Sequence, residues 1–201
     1  MNTLTEAVAL AGPGPPMTIL ATDCSIAFPP RHPTPDLPNG QGADRSRSSH
    51  ARIGFTDIGT LAGNSITGNT SNGIILGEGS SALIAGNTIQ ENRDPYAAVN
   101  LLNGSSAKFI GKNQITGNAG WGMLVQRASI AVIGDTGWGV PIDNVITANG
   151  LGGIEIYSNS SVVMNDATVA GNTGYYGVVY YASSYYTMDV TTSITGGVAC
   201  Y

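Results

Sequence analysis

Charge is what this sequence has least of. Asp, Glu, Lys and Arg make up 10% of the 201 residues, against about a quarter in ordinary domains. Helical surfaces draw on Glu and Lys, so their shortage speaks against a helical protein. The net charge of −5 leaves no basic footprint and argues against nucleic-acid binding. Histidine occurs only as His32 and His50, which excludes His-based catalysis from the later three quarters of the chain. No apolar run approaches the ~18 residues of a membrane span. The opening "MNTLTEAVALAGPGPPMTILA" has no Lys or Arg before its apolar segment, so it makes a poor secretory signal. The two cysteines, Cys24 and Cys200, sit near opposite ends; we expect them not to be bonded to each other.

Glycine is abundant, with 28 residues, and apolar residues reach 42%. Abundant Gly, Asn, Ser and Thr with little charge suit an all-β chain with many tight turns.

A short motif recurs through the chain. It reads "NSITGN" around Ile66, "NTIQEN" around Ile89, "NQITGN" around Ile115 and "NVITAN" around Ile146. It continues as "ATVAGN" at Val169 and a decayed "TSITGG" at Ile194, with spacings of 23, 26, 31, 23 and 25 residues. A small residue and an apolar–any–apolar triplet follow each time, as in "GIIL", "GMLV" and "GIEI". Periods of 20–50 residues signal a stacked array. Each unit holds three short alternating runs, the period of strands, and none is long enough for a helix. The spacing therefore predicts a parallel β-helix in which each strand pairs with its equivalent one coil away, at ~4.8 Å. Ile66, Ile89, Ile115, Ile146, Val169 and Ile194 form its inward column. Asn64, Asn87, Asn113 and Asn144 form a second column, and Asn69, Asn92, Asn118, Asn149 and Asn172 a third. Asn tolerates left-handed turn backbone, and its amide can bond to the Asn of the next coil as a ladder.

On these motifs the chain resembles the right-handed parallel β-helix proteins of the pectate-lyase-like superfamily. The resemblance implies an all-β solenoid of about six coils over 57–201, and a secreted or cell-surface location. Residues 1–56 differ: 1–24 resemble a remnant N-terminal cap, and the Pro- and Arg-rich 28–50 cannot bury enough apolar surface to order itself. A complete relative would carry several more coils there, so the resemblance implies a truncated or disrupted member. Solenoid ends need capping, which makes end-to-end association through uncapped coils an expectation.

Enzymes similar to this scaffold carry acids and a base, or carboxylates around calcium, on one outer face. The paired aspartates of polygalacturonase-like hydrolases are absent here, as is the Arg-x-Pro-x-x-Arg element of pectate lyases. The strongest candidate is the strand after each Asn turn. In "GIEIY", Ile154 and Ile156 point inward, so Glu155 and Tyr157 point outward. Leu124 and Val179 share Glu155's column; Leu102, Gln126 and Tyr181 share that of Tyr157. Trp121 and Tyr176 sit just before their strands, and Arg127 just after its own. Aromatic faces stack on sugar rings, while Glu, Gln and Arg bond to hydroxyls. This predicts a polysaccharide-binding face of Trp121, Gln126, Arg127, Glu155, Tyr157 and Tyr181, with Glu155 the one catalytic candidate. The alternatives are a stacked aromatic ladder in a purely structural or interaction module, and a polysaccharide lyase or glycoside hydrolase. The longest coil inserts "GDTGWGVPID" (134–143), whose Trp138 can wall the face. Asp135 and Asp143 are a weak calcium pair, because calcium takes six to eight oxygens; no other cofactor is expected.

Overall fold

The computed structural model describes residues 17–20, 26–28, 50–57, 60–61, 63–134, 143–174, 176–189 and 191–201. Within them the chain is all strand and turn, with no helix. Three parallel sheets run the length of the molecule, two of seven strands and one of six. A two-stranded antiparallel pair, Phe55–Asp57 with Thr60–Leu61, stands apart from them.

The architecture is a parallel β-helix. The first sheet holds the motif strands, from Asn64–Thr67 to Ser193–Ile194; the second holds the triplet strands, from Ile74–Leu76 to Val198–Cys200. The third holds the closing strand of each unit, from Ser81–Ala85 to Tyr185–Met188. Register follows the repeat: Ile66 pairs with Ile89, Ile89 with Ile115, Ile115 with Ile146, Ile146 with Val169, and Val169 with Ile194. The first five of these side chains are at most 1% exposed, and Ile194 packs partly buried against the same core. Each buried Ile contributes about 1.5–3 kcal/mol, and the column is continuous because neighbouring coils cover one another.

The small residue before each triplet has a steric cause. A Cβ on Gly122 would lie 2.5 Å from Ile146 Cγ2 and 2.8 Å from Asn149 Nδ2. The chain turns so tightly between the first two sheets that this position faces the core. Ala98, fully buried, is the largest residue it holds.

Both asparagine columns form amide ladders. Nδ2 of Asn64, Asn87 and Asn113 donates to Oδ1 of the next coil's Asn at 2.9, 3.1 and 2.8 Å. Asn69, Asn92, Asn118 and Asn149 do the same at 2.7, 3.0, 2.9 and 3.0 Å. One part of the expectation is corrected: these asparagines do not themselves take the left-handed conformation. The preceding residue does: Gly63, Gly86 and Lys112 before Asn64, Asn87 and Asn113, and Gly68, Glu91, Gly117, Ala148 and Gly171 before Asn69, Asn92, Asn118, Asn149 and Asn172. That twist aims the following amide inward, where it also donates to a core carbonyl, as Asn118 does to Ile89. A further ladder lies at the entry to the third sheet, where Ser129 and Ser160 side-chain oxygens accept from the backbone N–H of Ser105 and Ser129.

The sheets extend beyond residue 57 toward the N-terminus. Met17–Leu20, Ile26–Phe28 and His50–Ile53 each pair in parallel with a strand of the first full coil. Ala51 and Ile53 are buried in the common core, and His50 Nδ1 lies 2.9 Å from Ser81 Oγ. Alternation hides in "HARI" because its polar positions face outward while Ala and Ile face in. The proposed cap 1–24 and linker 28–50 otherwise fall outside the described residues, as does Cys24. Among the described residues no helix is long and apolar enough to cross a membrane.

Candidate functional site

The outward face of the second sheet is set by its register. Trp121 pairs with Gly152, Leu124 with Glu155 and Gln126 with Tyr157 on successive coils. Glu155 pairs with Val179, and Ile156 with Tyr180, which places Tyr181 beside Tyr157. One coil on, Tyr180 pairs with Cys200, so Tyr201 continues the column. Gln126, Tyr157, Tyr181 and Tyr201 thus form one row along the solenoid axis. Tyr201 escaped the sequence reading although "VACY" places it in the same position as the tyrosine of "GIEIY".

The row is joined by specific contacts. The Tyr157 hydroxyl donates to Gln126 Oε1, and Gln126 Nε2 donates to Asn100 Oδ1 at 3.0 Å. The Tyr157 and Tyr181 rings meet edge to face at 6.2 Å. Tyr181 and Tyr201 stack at 5.6 Å with an interplanar angle of 30°. Tyr176 closes the cluster, edge-on to Tyr201 at 6.4 Å. Such pairs contribute about 0.5–1.5 kcal/mol each beyond burial.

Glu155 sits half-buried between Leu124 and Val179, which are 4% and 3% exposed although they point outward. Burial raises its carboxyl pKa above the ordinary value, and a hydrogen bond from the Tyr181 hydroxyl works in the opposite direction. Burial, and then the Glu155 charge, raises the phenol pKa of both Tyr157 and Tyr181; the Arg127 guanidinium partly offsets this at Tyr157. Arg127 is exposed at a left-handed turn, with Nη1 3.4 Å from Asn103 Oδ1.

Trp121 opens its strand rather than preceding it. A Cβ on Gly152 would lie 2.1, 2.6 and 2.7 Å from Cζ3, Cε3 and Cη2 of its indole. The nearest ring atom, Cζ3, and both its ring neighbours lie under 3 Å from that Cβ, which places the glycine under the ring face. The indole therefore rests on bare backbone on this side and is partly exposed. No sequence signal distinguishes this glycine from the turn glycines around it.

Six of the predicted residues thus share one face: Trp121, Gln126, Glu155, Tyr157 and Tyr181 on it, and Arg127 at its rim. Trp138 and Asp135 lie outside the described residues. Asp143 is exposed just ahead of the Asn144–Thr147 strand. Among the described residues no three His, Cys, Asp or Glu side chains come together as a metal site. Glu155 is the sole carboxylate at the described outward positions of this sheet.

No curated protein and no solved structure shows significant similarity to this chain. The model of the right handed beta helix region matches residues 39–192, which runs from ahead of the strand His50–Ile53 to just before the last two strands, Ser193–Ile194 and Val198–Cys200. With three parallel sheets stacked in the register of the repeat, the chain belongs to the right-handed β-helix family.

Proposed function

We propose that this protein binds an extracellular polysaccharide on the outward face of its second sheet. The observation that carries the reading is the Trp121 indole, seated on Gly152 one coil from the half-buried Glu155. An aromatic platform edged by a carboxylate, an amide and phenol hydroxyls suits a sugar ring, whose faces are apolar and whose rim is polar. Glycoside hydrolysis usually takes two carboxylates, and among the described residues Glu155 alone stands at the outward positions of this sheet, which favours binding over cleavage. Secretion or surface display follows from that role.

Retention on immobilised polysaccharides tests it. The wild type should be retarded in affinity gels containing its ligand, and Trp121→Ala should abolish the retardation while leaving the β-sheet circular-dichroism signal intact. The double variant Tyr157→Ala/Tyr181→Ala should weaken retention. If the wild type is retained by no polysaccharide, the reading fails.

A structural or interaction module is the second reading, and one observation favours it. The Tyr181 and Tyr201 rings stack on each other, while Tyr157 spends its hydroxyl on Gln126. These tyrosines therefore act as a ladder between coils, and end-to-end pairing through the edge strand Val198–Cys200 would extend it. Unchanged retention in the double tyrosine variant, with loss in Trp121→Ala, would assign the tyrosines to stability alone.

A further inference from the structure

Two phenols of the tyrosine row are held against each other by the backbone beneath them. Tyr201 N–H donates to Tyr180 O at 3.1 Å, and Ala182 N–H donates to Tyr201 O at 2.8 Å. These bonds bracket Tyr181, so the side chains of Tyr181 and Tyr201 leave adjacent coils at the same register, about 4.8 Å apart. Their rings stack at 5.6 Å with 30° between the planes. Both are open to solvent, Tyr181 at 38% and Tyr201 at 60% exposure.

A phenol gives up an electron readily when its hydroxyl proton has somewhere to go. The Tyr181 hydroxyl donates to the Glu155 carboxylate, and a carboxylate within hydrogen-bond reach is what proton removal needs. Tyr201 is exposed enough to release its proton to water; its hydroxyl lies 3.3 Å from that of Tyr176. Tyr180 and Tyr186 also meet, at 5.5 Å and 62°, but they pack partly buried against the core.

We infer that Tyr181 and Tyr201 form a dityrosine site, coupled covalently across adjacent coils by a one-electron oxidant such as a peroxidase intermediate or an inorganic radical. The oxidant takes one electron from each ring. The Tyr181 proton passes to Glu155 and the Tyr201 proton to water. The two phenoxyl radicals pair their electrons in a carbon–carbon bond between ring positions ortho to the hydroxyls. The hydrogens at those positions then move to the phenoxyl oxygens, which restores both phenols. The net loss is two electrons to the oxidant and two protons. Holding the radicals on neighbouring coils replaces a bimolecular encounter by an intramolecular one. The bond closes a loop from residue 181 to residue 201 and so restricts the unfolded chain. This inference stands apart from the glycan-binding reading.

Oxidation of the dilute protein by photogenerated ruthenium(III) tris-bipyridine, with persulfate as electron acceptor, tests it. Dityrosine emission should appear in the monomer, with a yield per chain that does not change with protein concentration. Peptide mapping should join the Tyr181 and Tyr201 peptides, and the urea midpoint of the coupled protein should rise. Tyr181→Phe and Tyr201→Phe keep a ring in the stack but carry no hydroxyl, so each should abolish the crosslink. Glu155→Gln should slow coupling several-fold, and Glu155→Asp, which keeps a carboxylate, should restore part of the rate. Equal slowing in the two Glu155 variants overturns the proton transfer to Glu155. Dityrosine found only between chains, or mapped to Tyr176–Tyr201 or Tyr180–Tyr186, overturns the site.

Discussion

The ring of Trp121 occupies the space that a side chain at Gly152 would need, with Cζ3 only 2.1 Å from where a Cβ would stand. The two residues are register partners on adjacent coils, so the indole's position is set by backbone pairing below it. Replacing Gly152 by Ala forces the ring outward. We expect a loss of about 1–3 kcal/mol of stability, the usual range for overpacking, and a red-shifted Trp emission in a Trp138→Phe background. Denaturant unfolding and fluorescence check both, and unchanged values would mean that the indole moves freely.

The asparagine ladders should be the most sensitive polar groups in the molecule. Asn118 donates to Asn149 Oδ1 and Ile89 O and accepts from Asn92, and all of these partners are buried. Asn118→Ala orphans several buried partners at about 1–3 kcal/mol each. Urea unfolding should show a loss of at least ~3 kcal/mol. Asn103→Ala, at a partly exposed left-handed turn with polar partners on the surface, should cost less, about 1–2 kcal/mol, mainly from placing Ala in that backbone.

Two carboxylates should shift stability with pH in opposite senses. Burial raises the Glu155 pKa, so its neutral form favours the fold. Its contribution is complete below the unfolded value of 4.5 and is lost as pH rises through the higher folded value. Glu155→Gln should remove that step and raise the melting temperature at neutral pH. Asp189 is held down to about 2, first by the Thr191 hydroxyl and then by Thr192 and the Asp166 N–H. Its contribution is present above 3.8 and fades as pH falls toward 2. Carbon-detected NMR titration reads both groups directly; a Glu155 titrating at or below 4.5 would contradict the burial argument.

Cys24 and Cys200 should not crosslink within one chain. Ile26–Phe28, two residues after Cys24, and Val198–Cys200 are the outermost strands of one seven-stranded sheet. Six steps of ~4.8 Å put them about 29 Å apart, whereas a disulfide needs Cα atoms within about 7 Å. Cys200 is exposed and free. Non-reducing peptide mapping should find no Cys24–Cys200 peptide, and finding one would contradict the solenoid.

Local sequence determined the coil. Asn–Ile–Asn spacing, a small residue and an alternating triplet each express a constraint within one repeat, and parallel stacking copies that constraint to the next. This is why the inward column, the register and both ladders were readable without coordinates, and why Glu155 could be placed outward between Leu124 and Val179. The tertiary structure decided what happens between coils. Which ring covers which backbone depends on rotamers chosen across a ~4.8 Å gap, so Trp121 over Gly152 and Tyr181 stacked on Tyr201 leave no mark in either segment alone. The same holds for the degree of burial of Glu155, set by side chains 23 or more residues away. The strand His50–Ile53 was hidden for a related reason: four residues amid Pro and Arg carry too little pattern, and only a neighbouring coil with edges to pair makes them a strand.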